Sequence, residues 1–539
     1  MRPERGPNGK KHTAKRFVRT CAALAAAALV FAAQAVCAFA YSSPFAPAKS
    51  ATPGEANQAA EVRYELRGGG TFLYQNNPER IFADNIGKAL MIENDLHGDV
   101  YFTSENCNKT GERVLFGLQL RNRSGSDVTV TVKNIGWQSG IDWFGQKEWT
   151  DFFQVAYELE PGEGGHAFPS VFQPVPFRET TYVIPDGEYF YVAGGSSEDA
   201  YGNISVGGTA DVYIEKGKLI NAAVYFRVDG PETGVSAAYV CYRSGKNPVR
   251  SEQQQGYVVS RNGESFGRQY LGSAPYLCAE ASIAWNIDDR FASGRNLPVR
   301  YTVTYYQNTA SGAYGEYSGL RTRTVSSDVW KTHLNPQSDS SYIGTDMMPF
   351  HCVTEDGREV VIDTKHNDGT GKPANIGNWM VIYEESLTVR NSGTRLRKFT
   401  VDMRNNGITA LHVKDGSRGL LRAVYHFNKG DVYTFYVRPG ETRTICLEYV
   451  LLADSFGSQE HRVRAEDVSA EEEASLRGTL SGDVNDDRKV NATDYLLLKR
   501  FVLGTATPKE VQRFRMDISG DGKVNASDYL RLKRTVLGS

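Results

Sequence analysis

GDVNDDRKVNATDYLLLKRFVLG, residues 482–504, and MDISGDGKVNASDYLRLKRTVLG, residues 516–538, are two copies of one segment. Aligned without a gap they share Lys-Val-Asn-Ala, Asp-Tyr-Leu, Leu-Lys-Arg and Val-Leu-Gly at the same places. Such self-similarity marks a duplicated structural unit. The first half of each copy sets oxygen-bearing side chains at alternate positions, and the second half has helical composition. A hard cation takes six to eight oxygens, which a twelve-residue loop supplies from positions 1, 3, 5, 7, 9 and 12. The first copy offers Asp483, Asn485, Asp487, the carbonyl of Lys489, Asn491 through a water, and Asp494. The second offers Asp517, Ser519, Asp521, the carbonyl of Lys523, Asn525 and Asp528. The pattern predicts two Ca2+ ions, one per loop.

On these residues the tail, 482–539, resembles a type I dockerin, a paired loop-helix (F-hand) module of small α-helical fold. Both loops end in Asp where a general EF-hand has Glu, as dockerins do. Two positions depart from the pattern. Arg488 stands at position 6, where glycine normally makes the sharp turn, at a cost of about 1 kcal/mol; Ser519 replaces Asp or Asn at position 3. The resemblance implies a partner, a cohesin domain on a scaffold protein of a cellulosome-like complex. It also implies the reading surface: Ala492, Thr493, Lys499 and Arg500 in the first copy, Ala526, Ser527, Lys533 and Arg534 in the second. These sets are nearly identical, so docking in either of two orientations is expected.

The opposite end carries an export signal. Lys10, Lys11, Lys15, Arg16 and Arg19 precede an apolar run from Cys21 to Val36, and Ala38-Phe39-Ala40 forms a small-x-small cleavage site. The expected product is a secreted chain starting at Tyr41, held at the cell surface or in the medium through its scaffold, with no membrane insertion. A net charge of −2 over 539 residues argues against nucleic acid as a partner. Two of the seven cysteines leave with residues 1–40; Cys107, Cys241, Cys278, Cys352 and Cys446 remain, with no spacing that suggests a metal site.

Between the ends, Tyr and Gly are abundant and alternating stretches recur: 114–120, 127–134, 210–215, 221–228, 299–307, 386–391, 398–405 and 431–438. Alternation of apolar and polar residues, rich in β-branched and aromatic types, predicts strands. Residues 118–134 echo 387–405, each a strand ending in Arg-Asn, a turn and a second strand; Pro161-Gly162-Glu163 and Pro439-Gly440-Glu441 follow. The expected architecture is mainly β: a tether at 41–60, antiparallel β-sandwiches at 61–235 and 236–463, an acidic linker at 464–481, then the tail.

Chemistry in this body is less legible. Trp137, Trp143 and Trp149 recur at equal spacing in a glycine-containing segment, expected to be a loop, with Asp142, Gln146, Glu148 and Asp151 nearby. Exposed indoles stack on sugar faces, which makes carbohydrate binding the first candidate; aromatic core filling is the plainer reading. Tyr189, Tyr191 and Tyr201 form a weaker candidate. His351, His366, His412 and His426 lack ligand spacing, and no nucleophile elbow, HExxH or phosphate loop is present. Glycoside hydrolysis needs two carboxylates facing one cleft; Glu384 and Glu385, adjacent on a predicted strand, would point to opposite faces. We therefore read the body as a non-catalytic component that binds polysaccharide or protein. The alternative is a carbohydrate-active enzyme (hydrolase, lyase or esterase) with catalytic residues unknown.

Overall fold

The computed structural model describes residues 50–67, 70–75, 78–141, 179–194, 213–243, 271–274, 278–308, 317–332, 351–353, 359–361, 364–366, 373–374, 382–404, 408–415, 418–425, 430–451, 459–478 and 480–538. Among the described residues the body is β apart from one 3-10 turn, Ala83–Asn85, and each of the eight alternating stretches contains a strand. In the first sandwich Leu219–Asp229 lies antiparallel between Gly98–Asn108 and Val128–Ile141. The facing sheet centres on Val114–Asn122 between Tyr189–Gly194 and Val235–Tyr242. Inward residues of both sheets, among them Phe102, Phe116, Leu118, Val130, Val224 and Tyr239, make one buried core.

The second sandwich places Cys278–Ile287, Ile382–Asn391, Thr442–Leu451 and Ile408–Asp415 side by side. Gln459–Asp467, Arg397–Arg404 and Asp431–Val437 form its other sheet. Between the two sheets the Trp285 and Trp330 rings lie 6.0 Å apart, and the His461 ring stacks on Trp330 at 5.2 Å.

The chain crosses between sandwiches more than a tandem division allows. Tyr64–Arg67 pairs in the second, while Thr71–Gln75, four residues on, pairs in the first. Val235–Tyr242 and Leu271–Ala274 also pair in the first, beyond the 235/236 division. Alternation sets which face a residue points to but not which strand it pairs with. Trp137 also differs from expectation. It sits in Val128–Ile141 opposite Ala222, because ladder bonds to Leu219–Asp229 outweigh the turn tendency of Gly136 and Gly140. Part of the expected tether is fastened too: the Asn57 side chain donates to Asp288 Oδ1 at 2.6 Å, and its backbone N–H donates to the Asn286 carbonyl at 2.7 Å.

The repeated turn has a physical cause, a fully buried asparagine at the strand end. Asn122 Nδ2 donates to the carbonyls of Ser126 (2.7 Å) and Ile184 (2.9 Å), and its Oδ1 accepts from Ser124 N–H (3.0 Å). Asn391 repeats this with Arg395 (2.7 Å), Val437 (2.9 Å) and Gly393 N–H (3.1 Å). Asn108 is a third case, donating to Glu112 and Ile214 at 2.8 Å each. One amide thus closes its own turn and ties it to a second strand end. The counterpart of Pro439-Gly440-Glu441 is Pro185-Asp186-Gly187-Glu188: Gly187 N–H donates to the Asn122 carbonyl at 2.9 Å, and Gly440 N–H to that of Asn391 at 2.7 Å. Pro161-Gly162-Glu163 lies outside the described residues.

After Asp467 the chain forms helix α1 (Ala470–Arg477), capped by Ser469, whose hydroxyl accepts from Glu472 N–H at 3.1 Å. Glu471, Glu472 and Glu473 in its first turn suit the helix dipole. The tail adds α2 (Ala492–Val502), α3 (Glu510–Met516) and α4 (Ala526–Leu537) around Val484, Leu498, Met516 and Leu532.

Replacing Asn391 by Ala removes three bonds and leaves two carbonyls without their donor. We expect a loss of about 3 kcal/mol, read as a lowered urea midpoint; an unchanged midpoint would contradict this role.

Candidate calcium centre and docking face

The two tail loops have one geometry. Carboxylate oxygens of Asp483, Asp487 and Asp494 lie within 4.8 Å of one another, as do those of Asp517, Asp521 and Asp528. Backbone amides aim them. Asp494 accepts from Val484 N–H (2.8 Å) and Asn491 N–H (2.9 Å); Asp528 accepts from Ser519 N–H (2.8 Å) and Asn525 N–H (2.9 Å). Asn491 and Asn525 cap α2 and α4, each accepting an N–H at 2.7 Å. Lys489 and Lys523 donate their N–H groups to Asp487 and Asp521 at 2.9 Å. The Asn485 amide, donating to Asp487 at 3.0 Å, holds that carboxyl below the usual range. Ser519 Oγ lies 3.4 Å from Asp517 Oδ1.

Left-handed residues at positions 4 and 6 curl each loop. They are Asp486 (φ +62°) and Arg488 (φ +63°) in the first, Gly520 (φ +73°) and Gly522 (φ +81°) in the second. The first copy therefore carries Cβ strain that the second avoids. Three converging carboxylates with oxygen donors and no nitrogen or sulfur suit a hard divalent ion, so either loop could hold calcium.

Helices α2 and α4 pack as a pseudo-symmetric pair, with Tyr495 and Tyr529 stacked at 5.0 Å and their hydroxyls hydrogen-bonded. Ala492, Thr493, Lys499, Arg500, Ala526, Ser527, Lys533 and Arg534 are all exposed. Leucines that the sequence reading passed over join them. Leu496 and Leu503 on or just beyond α2, and Leu530 and Leu537 on α4, are 54%, 64%, 51% and 63% exposed. Their spacing of seven places each pair on the helix side that carries the basic residues. Their recurrence in both copies was the available signal.

Residues 481–537 match the family model for the dockerin type I domain. The tail is a dockerin type I domain. Type I dockerin domains are calcium-binding in general and imply a cohesin partner. No curated protein matches the chain. Among solved structures, the multicopper oxidase Fet3p, which functions in iron import, aligns at 10% identity over 87% of this chain and 72% of its own, with a TM-score of 0.10. Lac15 from a marine microbial metagenome aligns at 10% identity over 76% and 96%, TM-score 0.10. A multicopper oxidase from Campylobacter jejuni aligns at 9% identity over 75% and 88%, TM-score 0.07. At such scores these alignments carry no argument about the body.

The body's candidates divide. Trp143, Trp149, Asp142, Gln146, Glu148, Asp151 and Tyr201 lie outside the described residues. Tyr189 and Tyr191, the weaker candidate for carbohydrate contact, are buried. Tyr191 packs 6.1 Å from Tyr242, and the Arg121 guanidinium lies 5.0 Å over Tyr189, because inward alternation in Tyr189–Gly194 takes both rings into a side core. Glu384 and Glu385 do point to opposite faces, and both are fully buried. Glu385 accepts from Tyr449 at 2.9 Å and from Trp330 Nε1 at 3.3 Å, with His461 Nδ1 at 3.2 Å. Burial opposes its charge, but His461 and the hydroxyls of Tyr64 and Tyr449 win and lower its pKa. Glu384 shares the Lys414 ammonium (3.2 Å) with Glu448, its cross-strand neighbour. These acids serve the fold. Cys107 and Cys446 are free thiols, and burial pushes Cys446 up to about 12. No helix among the described residues is long and apolar enough to cross a membrane.

Two outcomes follow from these environments. Gly522→Ala should destabilise the dockerin domain by about 1 kcal/mol, since its φ suits only glycine, while Arg488→Gly should not; calcium-loaded thermal midpoints measure both. Burial holds His412 neutral down to about pH 3 although Glu448 pulls the other way. The unfolded chain takes that proton near pH 6.5, so His412 costs nothing above that pH. Below it, each unit down to about pH 3 removes about 1.4 kcal/mol. Urea midpoints at pH 7 and 5 should differ less in His412→Gln than in the native chain.

Proposed function

We propose that this protein is an exported component of a cohesin-scaffolded assembly. Its dockerin domain loads one Ca2+ per loop through Asp483, Asn485, Asp487, the Lys489 carbonyl and Asp494, and through Asp517, Ser519, Asp521, the Lys523 carbonyl and Asp528. The observation that carries the docking reading is the duplicated exposed strip: Leu496, Lys499, Arg500 and Leu503 in one copy, Leu530, Lys533, Arg534 and Leu537 in the other. Each strip offers apolar area flanked by cations, which suits a cohesin face with an apolar centre and acidic rim. Removal of residues 1–40 delivers the chain to such a scaffold, and the β body is its cargo. The burial of Glu384, Glu385 and Glu448 favours a binding role for the body over catalysis by those acids, with polysaccharide or protein as ligand.

A cohesin affinity assay in calcium tests this. Leu496→Asp or Leu530→Asp alone should retain binding through the intact copy, and the double variant should lose it, as should native protein in EDTA. Binding that survives the double change would refute the strip as the docking face.

A further inference from the structure

The dockerin domain is gripped by the body, and the grip falls on one calcium loop. Arg438, at the tip of the hairpin joining Asp431–Val437 to Thr442–Leu451, is 8% exposed. Its Nη1 donates to the Gly522 carbonyl at 2.6 Å and its Nη2 lies 3.7 Å from Asp517 Oδ2. The same guanidinium sits 4.8 Å over the Phe514 ring. Around it, Glu441 pairs with Arg513, and Arg443 bridges Asp415 (2.5 Å) to Glu510 (2.7 Å). Tyr436 meets Phe514 edge-on at 5.6 Å, and its hydroxyl donates to Glu472 of α1 at 2.8 Å. By contrast, the first loop, Asp483 to Asp494, bonds among the described residues only to groups of the dockerin domain itself.

We propose that Arg438 is a working residue of the second calcium site, so that calcium uptake by that loop and seating of the dockerin domain on the body are one coupled equilibrium. This rests on reading the second loop as a calcium site. Gly522 is position 6, and its peptide directly precedes the residue whose carbonyl faces the ion. Arg438 thus holds the backbone that the ion needs held. Calcium cuts the charge of Asp517, Asp521 and Asp528 from minus three to minus one, which weakens the pull on the guanidinium, so the coupling is carried by the Arg438 hold on the Gly522 carbonyl at 2.6 Å. Without the ion the carboxylates repel and the loop loses the shape Arg438 grips. Each event therefore strengthens the other by the same factor. Both repeated strips remain exposed in the seated state.

Calcium titration of the full chain by calorimetry, native against Arg438→Ala, tests this. We expect two sites, with the variant about tenfold weaker at one and unchanged at the other, the first loop serving as internal control for folding. Asp487→Asn should weaken the site that Arg438→Ala spares. A second measurement does not depend on affinity: trypsin cleavage at Arg477, at the end of α1, should be slow in calcium for native protein and fast in EDTA or in Arg438→Ala. Two sites with the same affinities in both proteins would overturn the coupling and leave the calcium reading intact. No calcium at the second loop in the native chain would overturn both.

Discussion

Three carboxylates held within 4.8 Å repel one another unless a cation joins them, and each copy of the tail is arranged around that constraint. Backbone amides aim the aspartates, left-handed residues at positions 4 and 6 curl the loop, and the last aspartate is fixed in the first turn of α2 or α4. The apolar core is small: Val484, Leu498, Met516 and Leu532 with partly buried neighbours. A domain of that size needs a staple, and calcium binding, general to type I dockerin domains, is of the kind that supplies one.

The body solves a different problem. Antiparallel strands must end in turns whose carbonyls and N–H groups are withdrawn from water, and an unpaired one is costly. Asn108, Asn122 and Asn391 meet this with one side chain each, which donates to carbonyls of two turns and accepts from a third group. Burial makes those amide bonds count, because no water competes for them. The same dryness keeps Glu384, Glu385 and Lys414 in tight pairs. Charged side chains in this protein are therefore poor guides to chemistry unless their exposure is known.

The two regions meet through arginines. Arg438 and Arg443 reach from a body hairpin to α3 and the second loop, and α1 is bound to the same surface through Glu472. A segment that reads as an acidic spacer thus becomes part of an interface. The repeated exposed strips lie elsewhere on α2 and α4 and stay uncovered in this arrangement.

The loops, the three aspartates that converge in each, the two helices that follow them and the β character of the body were legible in the residues alone. Each depends on local spacing: alternate oxygens around a loop, alternate apolar residues along a strand, a gapless repeat. The turn echo at Asn122 and Asn391 was legible too, but that Pro185–Glu188 closes against Asn122 as Pro439–Glu441 closes against Asn391 is seen only in the hydrogen bonds. Tertiary structure alone decided which strands pair, that Tyr191 and Glu384 are buried while Leu496 is exposed, and that Arg438 meets Gly522 across 84 residues. Those outcomes depend on which distant surfaces exclude water together, and periodicity within one segment carries no record of that.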